Sequence, residues 1–411
     1  MLSRRWLLIP VALLALAPGC GDGSDAASRG AKLARTDSAG IQILTPRSPV
    51  WDSGSGWRVP PDPVAVIGAT DAAEGDPTQE LYNVWSAYRR EDGSLVIGNG
   101  GTFNVRLFDR RGKFIREFGR RGGGPGEFQD VNSVFAWRGD SIGVFDGVAL
   151  RTTLYDASGR FGRVVSMPGA RRPLELFDVL SDSRMVAILP EMEAYTTPGP
   201  RPRRQDGAVT VGFIGEKQDT IGRIYVQMVG LGEEHRDYFP PYGSIAVCGD
   251  EYVEYRTDRY EMRAHDFSGT LLRIIRPAIE PEPFTAELFE QWKRDYMKDM
   301  TGSSEGGGRM QPALVEKNRR MLAGALQPSV IPPINWLTCD RDGNAWVREY
   351  PPRGVRSPEV RYSVFTTAGE WLGRVNMPYN TSIIEIGSDY ILAKDRDADG
   401  AELVKVYALE K

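Results

Sequence analysis

Histidine is almost missing from this chain: His235 and His265 are the only two in 411 residues. That excludes a metal centre built from several imidazoles. Cysteine is equally scarce, at Cys20, Cys248 and Cys339, which rules out a disulfide-dense miniature scaffold. Neither sign of charge dominates. With 51 Lys and Arg against 55 Asp and Glu, the net charge is −4, so a basic nucleic-acid coat and an acidic disordered tail are both excluded. The Gly-rich stretch Gly119–Gly126 is followed by Glu127 and Phe128 rather than by the Lys-Ser/Thr that opens a phosphate-cradling helix. It reads as a structural turn. No G-x-S-x-G elbow surrounds Ser133, Ser244 or Ser363, so serine hydrolase chemistry is not expected.

What is present suits a packed, turn-rich protein. Apolar residues make up 41% and aromatics 10% of the chain, enough for a sizeable core, and 46 glycines with 28 prolines imply many turns. At the N-terminus, Arg4 and Arg5 precede an apolar run from Trp6 to Ala17. Twelve residues cannot span a bilayer core of about 30 Å as a helix. They match the charged and apolar regions of a secretory signal over residues 1–19. Ala17-Pro18-Gly19-Cys20 resembles a bacterial lipobox, in which the cysteine is acylated and becomes the mature N-terminus; Leu16 lies one place early and Pro18 is atypical. The resemblance implies a lipid-anchored envelope protein held to a bilayer through Cys20. The alternative is a cut after Ala17 and a soluble periplasmic protein. Residues 20–40 read as the anchor cysteine and a flexible tether.

Two marks recur through residues 41–411. One is an aromatic or apolar strand end followed by a Gly turn, as in Phe108-Asp109-Arg110-Arg111-Gly112, Tyr155-Asp156-Ala157-Ser158-Gly159, His265-Asp266-Phe267-Ser268-Gly269 and Phe365-Thr366-Thr367-Ala368-Gly369. The other is an acidic turn ahead of an apolar strand, as at Asp92-Gly93, Asp140-Ser141, Asp182-Ser183, Asp250-Glu251, Asp342-Gly343 and Asp389-Tyr390. Counting weaker copies, each occurs six times in alternation. The spacing leaves room for about four short strands per unit, which predicts propeller blades. The run Gly112–Gly119 followed by Gly122-Gly123-Gly124-Pro125-Gly126-Glu127-Phe128 is similar to the NHL-repeat group of six-bladed propellers, especially its exported bacterial members. That resemblance implies an all-β, six-bladed β-propeller. Strands Thr381–Ile386, Tyr390–Lys394 and Leu403–Leu409 leave the last blade one strand short, and Val64–Ile67 is the N-terminal strand expected to complete it.

Between Pro277 and Pro328 the strand pattern stops. Thr285 caps an expected helix carrying Leu288, Phe289, Trp292, Tyr296 and Met300, and a second helix ends before Pro328. This makes 277–330 a helical hairpin inserted between blades four and five. Long loops are expected at Pro190–Asp206 and Pro351–Glu359. In an antiparallel meander these loops and the blade-to-blade links share one end, so that end is the one to suspect of function. It carries Arg120, Arg121, Arg201, Arg203, Arg204, Arg353 and Arg356, with Glu191, Glu193 and Glu359 among them and Tyr195 or Trp292 available to stack on a sugar. Arginine suits bidentate capture of carboxylate or phosphate.

The expected function is therefore an envelope binding or scaffold module for a protein or acidic glycan, without catalysis. Two alternatives stand beside it: a channel-centred, lactonase- or lyase-like enzyme with calcium as its ion, and an accessory subunit of an outer-membrane uptake or assembly complex. No cofactor is marked by local spacing. Asp395–Gly400 begins like a calcium loop but has Val406 where the closing acid belongs, and reads as a solvated turn. Cys248 and Cys339 end inner strands of adjacent blades, either as a bridge or as two small buried side chains.

Overall fold

The computed structural model describes residues 32–411, apart from 53, 69–75, 168–174, 181, 183, 191–204, 215–218, 229–237, 240–242, 303–311, 351–358, 379–380 and 398–399. Cys20, Tyr195, Arg201, Arg203, Arg204, Arg353 and Arg356 lie outside the described residues. Three strands come first: β1 (Leu33–Ser38), β2 (Ile41–Pro46) and β3 (Ala65–Gly68). Sheet one is β4 (Ala87–Arg89), β5 (Leu95–Asn99), β6 (Asn104–Phe108) and β7 (Phe114–Phe118). Sheet two is β8 (Ser133–Trp137), β9 (Ser141–Asp146), β10 (Arg151–Tyr155) and β11 (Phe161–Ser166). Sheet three is β12 (Glu175–Val179), β13 (Met185–Pro190), β14 (Gln205–Ile214) and β15 (Asp219–Met228).

Sheet four contains β16 (Gly243–Cys248), β17 (Glu251–Arg256), β18 (Met262–Asp266) and β19 (Leu271–Ile275), and β2 and β1 extend it to six strands. Helices α1 (Ala286–Gly302) and α2 (Pro312–Ala323) follow. Sheet five is β20 (Trp336–Cys339), β21 (Ala345–Arg348), β22 (Glu359–Phe365) and β23 (Trp371–Pro378). Sheet six has the order β24 (Ser382–Ile386), β25 (Tyr390–Arg396), β26 (Glu402–Ala408), β3. The N-terminal strand needed by strand counting is thus paired antiparallel with β26, Ile67 opposite Val404.

The sheets stack face to face, which decides their composition. Every residue of β5 and β6 is buried, because a middle strand has a neighbouring sheet on both sides and reads as continuous rather than alternating apolar sequence. Outer β7 keeps its central residues exposed. Sheets six and one share a core of Ile67, Val404 and Leu392 with Leu95, Ile97 and Phe108. Sheets five and six share another around Trp346, Tyr362 and Tyr407. First strands meet in succession, β4 with β8, β8 with β12, β12 with β16, β16 with β20, and β24 with β4. The arrangement is propeller-like.

The recurring turns explain themselves in this packing. Asp156 Oδ1 accepts the backbone N–H groups of Ser158 and Arg160, and Asp266 does the same for Ser268 and Thr270. Those bonds hold both carboxyls below the usual range, with the serine hydroxyls as the largest contribution. Gly159 closes its turn at φ +78°, and a Cβ there would lie 2.5 Å from the Phe118 ring of sheet one. Each such turn nests against the sheet before it, so glycine is required twice over.

Two expectations need correction. The tether reading of residues 20–40 fails for its second half, because Leu33–Ser38 is strand β1. Its polar side chains hid it; Ala39 and Gly40, both at positive φ, turn it back onto β2. β2 then runs parallel to β19. From there the chain forms a belt across three outer edges. Val50 and Trp51 donate to the carbonyls of Trp371 and Leu372 on β23, Arg58 and Glu410 exchange two backbone bonds, and Val64 donates to Val406 beside β3. Trp57 packs at 6.0 Å from Trp346, under Lys411. The second correction concerns Trp292. The helical insertion forms as expected, with Thr285 Oγ1 accepting from Leu288 N at 3.3 Å, but Trp292 is only 3% exposed. It stacks on Phe289 and is walled by Tyr238, Phe239 and Tyr296. A ring so enclosed anchors α1 and offers no face to a ligand.

Candidate functional site

Side chains converge at two ends of the first strands. At the end bearing the short acidic turns, Glu385 of β24 sits among three sheets. Its Oε2 accepts the backbone N–H of Arg89 at 2.8 Å and the Tyr390 hydroxyl at 2.9 Å, and its Oε1 takes Arg341 at 2.6 Å. Arg341 also donates to the Arg89 carbonyl, 3.0 Å away. Both guanidiniums lie over the Tyr390 ring, Arg89 at 4.5 Å and Arg341 at 5.8 Å. Burial pushes the Tyr390 hydroxyl up, and the charge of Glu385 adds to this, so Tyr390 stays a proton donor. Glu385 is therefore saturated by groups from sheets one, five and six.

Asp178, on β12 of sheet three, feels the same carboxylate. The residue is exposed to solvent, yet protein crowds one side of its carboxyl. That desolvation pushes its carboxyl up to about 6; the charge of Glu385 also raises it, against the opposing bond from Val179 N. A carboxyl raised above its unfolded value stabilises the fold most when protonated. Its contribution is present below about pH 4 and is lost as pH rises through about 6. Asp178→Asn should therefore raise the melting temperature at pH 7.5 and leave it unchanged at pH 4. Equal shifts at both would show that ionisation is not the cause.

At the opposite end lie the long connections. Arg120 pairs with Glu127 at 2.8 Å, so part of its charge is neutralised locally. Arg121 covers the Phe103 ring at 5.2 Å. These two are the arginines of the expected face that the described residues include, and they stand side by side at the start of one turn. Asp395 is not solvated: it is 9% exposed and pairs with Lys405 at 2.5 Å, while Asp397 caps its own turn through Ala401 N. Among the described residues no group of three or more His, Cys, Asp or Glu side chains is arranged to hold a metal ion. Cys248 and Cys339 are joined in a disulfide with Cα atoms 5.2 Å apart, linking the first strands of sheets four and five.

Sequence reasoning missed Glu385, Arg89, Arg341, Tyr390 and Asp178. They come from four sheets and share no local spacing. The one available signal was position: all five lie in, or within two residues of, a short turn between the first two strands of a sheet.

No family model matches the chain, and no curated protein does. Among solved structures it is similar to a member of the DUF4221 family from Bacteroides vulgatus, with 12% identity, 86% of this chain and 98% of that one covered, and a TM-score of 0.48. A Bacteroides fragilis protein whose given name calls it exported matches at 12% identity, 89% and 98% coverage and a TM-score of 0.47. An inactive variant of virginiamycin B lyase from Staphylococcus aureus, solved with quinupristin, matches at 10% identity, 85% and 88% coverage and a TM-score of 0.36.

Proposed function

We propose that the chain is an exported six-bladed β-propeller, closed by β3 in its last blade, anchored by lipid at Cys20, and working by binding an anionic envelope partner, foremost an acidic glycan. The observation behind this reading is the asymmetry of its connections. Turns between first and second strands and between third and fourth strands stay short, whereas the strand ends at the other end, those of β13, β15, β19 and β21, lead into the long intervals 191–204, 229–242, 276–335 and 349–358. Arg201, Arg203, Arg204, Arg353 and Arg356 belong to those connections. The saturated state of Glu385 supports binding over turnover at the opposite mouth.

The test is a pull-down from envelope extract at low and high salt. Exposed charges are screened within about 8–10 Å at ordinary ionic strength, so retention of the partner should fall as salt rises. Reversing Arg201, Arg203 and Arg204 to Glu should abolish retention without changing the melting temperature. A partner indifferent to both would move the function to the Asp178 mouth. A channel-centred lyase or lactonase is the second reading, favoured by the raised Asp178 carboxyl beside Glu385.

A further inference from the structure

The link into sheet one presents an aromatic ring in an unusual way. Leu81 and Val84 are buried and fix the link from below. Its main chain is clamped twice more: Tyr82 N donates to Asn99 Oδ1 and Val84 N to Glu402 Oε2, each at 2.7 Å. Asn83, between them, is held at φ 53°, a left-handed conformation that asparagine adopts more readily than other non-glycine residues. Glycines at 100 and 101 let the neighbouring hairpin approach, with Asn83 O and Tyr82 Cβ where their side chains would be. The product of this clamping is Trp85, the most exposed large apolar side chain among the described residues at 68%.

Its surroundings are polar. Lys394 Nζ lies 5.1 Å from the ring centre, a cation–π contact. Ser382, exposed, faces Lys394 across the β24–β25 ladder. Glu402 binds Arg396 at 3.0 Å and Val84 N at 2.7 Å, whereas Lys394 is 3.7 Å away, beyond hydrogen-bond reach. Glu402 thus meets two cations with one charge, and Lys394 is the loosely held one. A rigid indole beside a shareable ammonium, with a serine paired to that lysine on the next strand, suits a pyranose ring, which offers a C–H face for stacking and hydroxyls at its edge. The ammonium suits a sugar carboxylate.

We propose that Trp85, with Lys394 and Ser382, is a subsite for an acidic sugar residue. This deepens the binding-face reading and rests on it, since the link into sheet one opens at the same loop-bearing end. The test is calorimetric titration of the mature protein with tetragalacturonate and with neutral maltotetraose. Wild type should bind the acidic sugar more tightly. Trp85→Ala should weaken binding about tenfold, the worth of one stacked ring, at an unchanged melting temperature. Lys394→Gln should erase the preference for the acidic sugar, and Trp336→Ala, which removes an exposed ring on β20, should change nothing. Tetragalacturonate binding unaltered by Trp85→Ala overturns the subsite, as does wild type that binds neither sugar. If the subsite fails while the triple arginine reversal still abolishes partner retention, the face stands and its partner is an acidic protein surface. If the reversal also has no effect, both fall.

Discussion

Deletion of residues 57–68 should leave the protein aggregated or without a cooperative melt, whereas deletion of 21–31 should leave its melting temperature unchanged. The first removes β3 and with it the four-residue ladder to β26. It strips Ala65 and Ile67 out of the core that joins sheets six and one, and it exposes the edge of β26, a template for pairing with other chains. Trp57 goes too, uncovering Trp346. A milder version isolates the packing term. Ile67 is fully buried, so Ile67→Ala should cost about 2–5 kcal/mol in urea unfolding. If that change costs no more than a surface substitution, β3 is not part of the core.

The second large effect concerns Cys248 and Cys339. The bridge closes a loop of 91 residues, and the chain-entropy model assigns such a loop about 4–5 kcal/mol of stabilisation. That loop contains the whole helical insertion, so the crosslink holds sheets four and five together across the longest interruption between two sheets. The double variant Cys248→Ala/Cys339→Ala should lose about 2–5 kcal/mol in urea unfolding. A thiol reductant should bring wild type down to the variant's stability and leave the variant unmoved. Equal stability of the two proteins without reductant would dismiss the bridge as a structural element.

Local chemistry was readable in the chain and convergence was not. Asp156 and Asp266 could be recognised as turn residues because the N–H donors they accept from lie two and four positions ahead, inside one sequence window. The need for β3 followed from counting strands, a topological constraint that requires no coordinates. Thr285 and the apolar spacing after it announced α1 for the same local reason. β1 escaped because Thr36, Asp37 and Ser38 look like linker, and its pairing depends on β2 lying against β19, more than 200 residues away. Trp292 was read as available because helical periodicity shows which face is apolar but not what covers it. In sheet five the sequence mark pointed to Asp342, while the carboxylate that closes the turn is Asp340, buried and bonded to Trp346 Nε1 at 3.0 Å. Glu385 and its partners shared only a position beside the short turns, and no spacing showed that they would meet, since Arg89 comes from the start of the fold and the others from its end.

The belt also sets how the molecule responds to load. A pull on the chain ahead of Leu33, as a membrane anchor in a moving envelope would exert, first meets the six-pair ladder of β1 on β2. Beyond it stand the parallel pairs of β2 on β19, then the bonds of Val50 and Trp51 to β23, then the exchange between Arg58 and Glu410. Only after all of these yield does tension reach β3. The strand that completes the last sheet is therefore the last to feel such a pull, and the outer edges of sheets four and five act as successive breakpoints that spend mechanical work before sheet six is disturbed.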